Sequence, residues 1–213
     1  MYEQLDLRMT RNRVLFGLAA SLAFAAVGAY AGQFLPPALY FPLWIVEMGM
    51  MIAAAVVRRR RLVGWTFLFV FTLLSGMTVT PILIVYSQAL GIQVVEEAFF
   101  VTAGAFALSA FIASRRGVDF GWMGMFASVG LIVLLLLGVV SLFFPLGGTL
   151  QLIYTYLGIS VFVGFMLFDL NRLTRYGISP EQVPMMVLNL YLDFLNLFLF
   201  ILRLLGLNVQ SRR

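Results

Sequence analysis

The sequence contains no cysteine, no histidine and no lysine. Without cysteine there are no disulfides, no thiol chemistry and no thiolate metal sites. Without histidine there is no imidazole switch, so any response to pH near neutrality must come from carboxylates. Without lysine there is no residue to form a retinal Schiff base, which removes that class of seven-helix protein. Charge of either sign is also scarce. Only 11% of residues are charged while 62% are hydrophobic, against roughly 25% charged in an ordinary soluble domain. Such a chain is an integral membrane protein, and 213 residues suit a single membrane domain, residues 1–213, built as one compact helical bundle. The net charge of +5 does not point to nucleic acid. All fourteen basic residues are arginine, and they sit in short clusters at the ends of apolar runs, where topology accounts for them.

Seven apolar runs are long enough to span a bilayer, at about 14–34, 38–57, 62–86, 92–113, 121–143, 149–170 and 185–206. The first follows Arg8, Arg11 and Arg13 and ends near Ala29-Tyr30-Ala31, a pattern that a cleaved signal peptide shares. Its apolar core is longer than such peptides use, so it is read as a span. Pro81 should kink the third run. Gly104, Ala105 and Ala107 should allow close helix contact in the fourth. Basic residues occupy the N-terminus and the segments after runs two, four and six. The segments after runs one, three and five have none. The positive-inside rule then puts the N-terminus in the cytoplasm and, with seven crossings, the C-terminus outside. Arg212 and Arg213 speak mildly against the latter, and a re-entrant last run would place the C-terminus inside.

The most informative run is the last. Within it lie Asn189, Asp193, Asn196 and Arg203, separated by steps of four, three and seven. Those are helical steps, so the four side chains share one face. A carboxylate facing lipid is very costly, so this face should look inward, making the seventh helix a central post with the other six around it. A second carboxylate, Asp169, closes the sixth run. If Asp169 and Asp193 meet, both cannot easily stay ionised, and they would share one proton. The plainer alternative is that one or both cap helix ends or sit among headgroups. Asp193, about two turns inside its run, is too deep for that to be comfortable.

Other charges have competing explanations. The run Arg58 to Arg61 is a topology anchor, though Arg58, nearest the membrane, is placed to reach an aspartate on its own side. Glu47 falls near mid-membrane and needs a partner, a proton or water. Glu96 and Glu97 lie near the outer end of the fourth run. Arg203, at similar depth, would either pair with Glu97 or extend its head to the interface. No phosphate loop, zinc motif or nucleophile elbow is present, and no catalytic residue is expected. Paired membrane aspartates also occur in intramembrane proteases, but those use Tyr-Asp and Gly-x-Gly-Asp. Here Phe168 precedes Asp169, and Asp193 follows Tyr191-Leu192.

Several segments together resemble the transmembrane Bax-inhibitor-motif family. They are Gly76-Met-Thr-Val-Thr-Pro81, Ala98-Phe-Phe-Val-Thr102-Ala103-Gly-Ala-Phe106, Phe168-Asp169-Leu-Asn171 and Leu190-Tyr-Leu-Asp193-Phe-Leu-Asn196-Leu-Phe. The likeness covers nearly the whole chain and is nearest in pattern to the bacterial calcium-leak type. Thr80 departs from it, where a small glycine or cysteine is the rule before Pro81. The resemblance implies a seven-helix fold with the last helix enclosed by two three-helix layers, and a pH-sensitive calcium leak. It implies that Asp169 and Asp193 are the pH sensor, that Arg58 latches the closed form, and that Glu47 and Glu97 match acidic positions of bacterial members.

The resulting expectation is a calcium leak in a prokaryotic inner membrane, with no cofactor, the transported calcium and protons as its small partners, the lipid bilayer around it and a monomeric state. Calcium favours carboxylate and carbonyl oxygen, which suits Asp169, Asp193, Asn189, Asn196 and Glu47. Two carboxylates are too few for a tight closed site, which fits passage better than storage. A calcium/proton exchanger and a non-conducting regulatory membrane protein are the alternatives.

Overall fold

The computed structural model describes residues 2–56, 63–115 and 118–210. Among these residues all the regular structure is helical: α1 (Tyr2–Gly32), α2 (Tyr40–Val56), α3 (Trp65–Leu90), α4 (Ile92–Ala113), α5 (Gly121–Phe143), α6 (Gly148–Arg175) and α7 (Val183–Gln210). Short 3-10 turns, Pro37–Leu39 and Pro180–Gln182, lead into α2 and α7. Seven described helices are long and apolar enough to cross a membrane. The protein is therefore an all-α membrane protein with the expected number of helices. The ends differ from the apolar runs in an instructive way. Helix α1 begins in the polar N-terminal stretch, and α6 continues to Arg175, because a helix continues past the hydrophobic boundary wherever no proline or glycine breaks it. Helix α3 runs on through Pro81.

The chain forms two compact units. One comprises Met1–Val85 with Gly177–Tyr191, the other Tyr86–Tyr176 with Leu192–Arg213. Helix α7 contributes its first turns to one and the rest to the other. It is also the most buried of the seven spans, with 61% of its most apolar window enclosed against 6% for α2. Helix α2 is the lipid-facing extreme, with Phe41, Trp44, Ile45 and Val46 all exposed. Apolar exposure of this kind is ordinary where the solvent is a lipid tail.

In the first unit α1 and α3 approach backbone to backbone. A Cβ added to Gly28 would collide with the Leu73 carbonyl, and one added to Gly76 with the Ala25 carbonyl. Small residues permit this contact, which supplies the dispersion energy that holds membrane helices together in the absence of a hydrophobic driving force. The Thr80 hydroxyl, 3.1 Å from the Ala29 carbonyl and 3.0 Å from that of Gly76, ties the two helices further along. The polar threonine at the motif's atypical position thus has a local role. The first run is a packed part of the fold, as its reading as a span requires.

The expected small-residue contact in α4 does not occur where it was sought. Gly104 and Ala107 are exposed, and a Cβ on Gly104 would meet nothing within 4 Å. Composition alone does not say which way a small residue faces. In the second unit α6 packs against both α4 and α5, and Gly124 of α5 accepts the ring of Phe168.

Asn171 organises the ends of these helices. Its side-chain nitrogen donates to the carbonyls of Ala113 and Val118, each at 3.3 Å, and its oxygen accepts the Phe120 N–H at 3.3 Å. Nearby, Asp119 accepts the Gly121 N–H at 2.8 Å and pairs with Arg175 at 2.8 Å. The ion pair is solvent-exposed and contributes little. Asn171 is 2% exposed, so Asn171→Ala removes three hydrogen bonds made by a buried side chain, with only the Ala113 carbonyl keeping a second partner, the Thr174 hydroxyl at 3.2 Å, and should lower stability by about 1–3 kcal/mol. Thermal unfolding in detergent, compared with Asp119→Ala as an exposed control, measures this.

Candidate functional site

Asp169 and Asp193 are both in the second unit, on α6 and α7. They are 6% and 7% exposed, and the carboxylates lie within electrostatic reach of each other. Neither is a cap. Helix α6 continues more than a turn beyond Asp169, and Asp193 lies in the body of α7. The plainer reading of both as helix-end residues therefore does not hold. The Oδ2 atom of Asp193 is buried and has no hydrogen-bond partner among the described residues. A bare carboxylate oxygen in an apolar interior is among the most expensive arrangements a protein can make. It is relieved by a proton, a cation or water.

The remaining residues of the α7 face are only half buried. Asn189, Asn196 and Arg203 are intermediate in exposure. The Asn196 side-chain nitrogen donates to Leu192 at 2.8 Å, within its own helix. The Arg203 guanidinium lies over the Tyr154 ring, 4.9 Å from its centroid. It makes no ion pair with Glu97 among the described residues, and the aromatic contact stands where that pair was expected. Glu97 is exposed and lines a surface pocket with Gln93, Glu96, Phe100, Val101 and Leu205. Arg58, the expected latch, lies outside the described residues, as do Arg59, Arg60 and Arg61.

Glu47 belongs to the first unit and has a partner that the sequence did not reveal. The Thr78 hydroxyl donates to its Oε2 at 2.5 Å, and also contacts the Ser75 carbonyl at 3.0 Å. A short hydroxyl-to-carboxylate bond is the charge-assisted kind. Thr78 lies in the motif Gly76–Pro81, but a threonine in an apolar helix more often bonds its own backbone, so nothing in the sequence singled it out. Asn171 was visible only as part of a motif. Among the described residues no cluster of three or more acidic side chains could hold a metal ion.

Comparison with known proteins gives a consistent set of likenesses. A family model described as inhibitor of apoptosis-promoting Bax1 matches residues 7–210. The chain is similar to Bax inhibitor 1 of Schizosaccharomyces pombe, 39% identical over 68% of this chain and 52% of that protein, so the match spans about half of that relative's length. It is similar to an uncharacterized protein of Campylobacter jejuni, 33% identical over 88% of this chain and 83% of the other. It is also similar to protein lifeguard 4 of Mus musculus, 32% identical over 96% and 82%.

Proposed function

The chain belongs to the family of inhibitors of apoptosis-promoting Bax1, and on that premise we propose that it is a pH-sensitive calcium leak gated by protonation of Asp169 and Asp193. The observation that carries this reading is the unpartnered, buried Oδ2 of Asp193, on a carboxylate within reach of a second one. Such a pair holds one proton readily and two negative charges only with help. With the proton shared, the site is compact and closed, and Arg58 neutralises the charge that remains. Without it the carboxylates repel, and a divalent cation is the natural replacement. Glu47 lies on the ion's route, offering one carboxylate with a hydroxyl beside it. The membrane is a prokaryotic inner membrane, with the N-terminus on the cytoplasmic side that carries the basic segments.

A second reading rests on the relatives' names: Bax inhibitor 1 is named for inhibition, which a protein can perform through partners without conducting anything. Calcium uptake by sealed liposomes containing the purified chain separates the possibilities. A leak brings internal calcium to the external level and no further, whether or not a proton gradient is imposed. Accumulation beyond that level under a proton gradient would identify an exchanger. No uptake from mildly acidic to mildly alkaline pH would sink both transport readings and leave the regulatory one. In the same assay Glu47→Gln should reduce uptake several-fold, because it keeps an acceptor for Thr78 while removing the charge. Unchanged uptake would assign Glu47 a purely structural role.

A further inference from the structure

The first unit contains three hydroxyls that are fully buried and have no hydrogen-bond partner among the described residues: Ser21 on α1, Ser75 on α3 and Tyr191 on α7. Each residue is 0% exposed, so lipid does not reach them either. Helical spacing from the contacts of their neighbours puts them near one level. Ser21 continues the α1 stripe that runs from Gly17, against Trp65 and Val187, to Ala25, against Gly76. One turn beyond Gly17 on α1 is Ser21, and one turn beyond Val187 on α7 is Tyr191. The Tyr191 ring meets Phe71 edge-on, with centroids 6.3 Å apart, and Phe71 is one turn from Ser75. The Ser75 hydroxyl faces the Tyr191 oxygen, yet neither closes a bond of full geometry. Glu47 is in electrostatic reach of Tyr191, and its Thr78 partner is bonded to the Ser75 carbonyl.

Three orphaned hydroxyls in one layer are costly. A buried polar atom left unsatisfied is unfavourable, and buried water commonly resolves such groups when two to four polar partners surround it. We propose that Ser21, Ser75 and Tyr191, with the Glu47–Thr78 pair at its edge, hold an internal water site in the first unit. Its ligand is water, and its effect is to keep Glu47 hydrated within the membrane span. The Tyr191 hydroxyl donates to the water, the serine hydroxyls donate to it or accept from it, and the water donates to the carboxylate. The water site does not rest on the proposed calcium leak, and its test reads water rather than calcium.

Hydroxyl-radical labelling by brief X-ray exposure tests this in the full chain in lipid nanodiscs. Radicals form in place from bound water, so a dry side chain is spared however reactive it is. Phe71 is the control, since its ring touches that of Tyr191 and it too is 0% exposed. Tyr176, which is 72% exposed, sets the upper limit. Tyr191 should be labelled several-fold faster than Phe71, at a rate approaching that of Tyr176. Ser75→Ala and, separately, Ser21→Ala should each slow labelling at Tyr191 several-fold while leaving Tyr176 unchanged. Labelling of wild-type Tyr191 no faster than Phe71 would overturn the proposal without need of any variant. Labelling that neither serine variant alters would overturn it equally.

Discussion

Asp193→Asn should flatten the pH dependence of calcium uptake. If opening releases one shared proton, the open form is favoured tenfold, or about 1.4 kcal/mol, for each pH unit across the range in which the proton is lost. The sign follows from where the proton sits. It is held in the closed form, so closure is favoured at low pH and is lost as pH rises. Asparagine has a similar shape and still forms hydrogen bonds, but it cannot titrate and removes one of the two repelling charges. The tenfold slope should fall to near none, with the remaining flux set by a single carboxylate. Asp169→Asn should also flatten the slope. It removes in addition the proposed partner of Arg58, so uptake at mildly acidic pH should rise above wild type instead of merely losing its pH response. The measurement is initial calcium uptake by liposomes across mildly acidic to mildly alkaline pH for the three proteins. If both variants keep the wild-type midpoint and slope, the sensor lies elsewhere. In a chain without histidine the search then moves to Glu47, Glu96 and Glu97.

Gly76→Leu should be the most disruptive single change outside that pair. Its Cβ would be driven onto the Ala25 carbonyl, and an α-helix backbone cannot step aside as a side chain can. The two helices must separate, and with them go the reciprocal contact at Gly28 and the Thr80 bonds to Ala29 and Gly76. Overpacking at a tight site costs roughly 1–3 kcal/mol, sometimes more. Losing the paired contacts as well sets the expectation at about 3 kcal/mol or above, a Tm lower by roughly 6–12 °C for a chain of this size. Gly104→Leu is the matched control: the same chemical change in a helix, with nothing within 4 Å of the new atom. It should be neutral or slightly stabilising, since leucine favours a helix by up to about 1 kcal/mol over glycine. Unfolding in one detergent, followed by circular dichroism, compares them. Equal effects for the two variants would show that the α1–α3 contact does not carry the stability assigned to it.

These two pairs of residues also mark how far a reading of the chain alone can go. The all-helical membrane fold and its seven membrane-length helices were legible because bilayer thickness and backbone hydrogen bonding leave few solutions for long apolar runs. The inward face of α7 was legible in part for a similar reason: a carboxylate two turns inside a span has almost nowhere else to point. Asp193 is accordingly buried. Other features depended on orientation between helices, which periodicity within one helix does not contain. Glycine has no side chain to bias a pattern, so Gly76 and Gly104 read alike until their neighbours were known. Tertiary packing put one against a carbonyl and left the other open. Hydroxyls are equally silent, since serine and threonine satisfy themselves on their own helix wherever no better partner is near. The Thr78 bond to Glu47 and the unpartnered layer of Ser21, Ser75 and Tyr191 emerged only when residues far apart in the chain were brought to one level. Hydrophobicity thus dictated which segments enter the membrane. Shape complementarity between their surfaces, a property of pairs of helices, chose which polar atoms meet inside it.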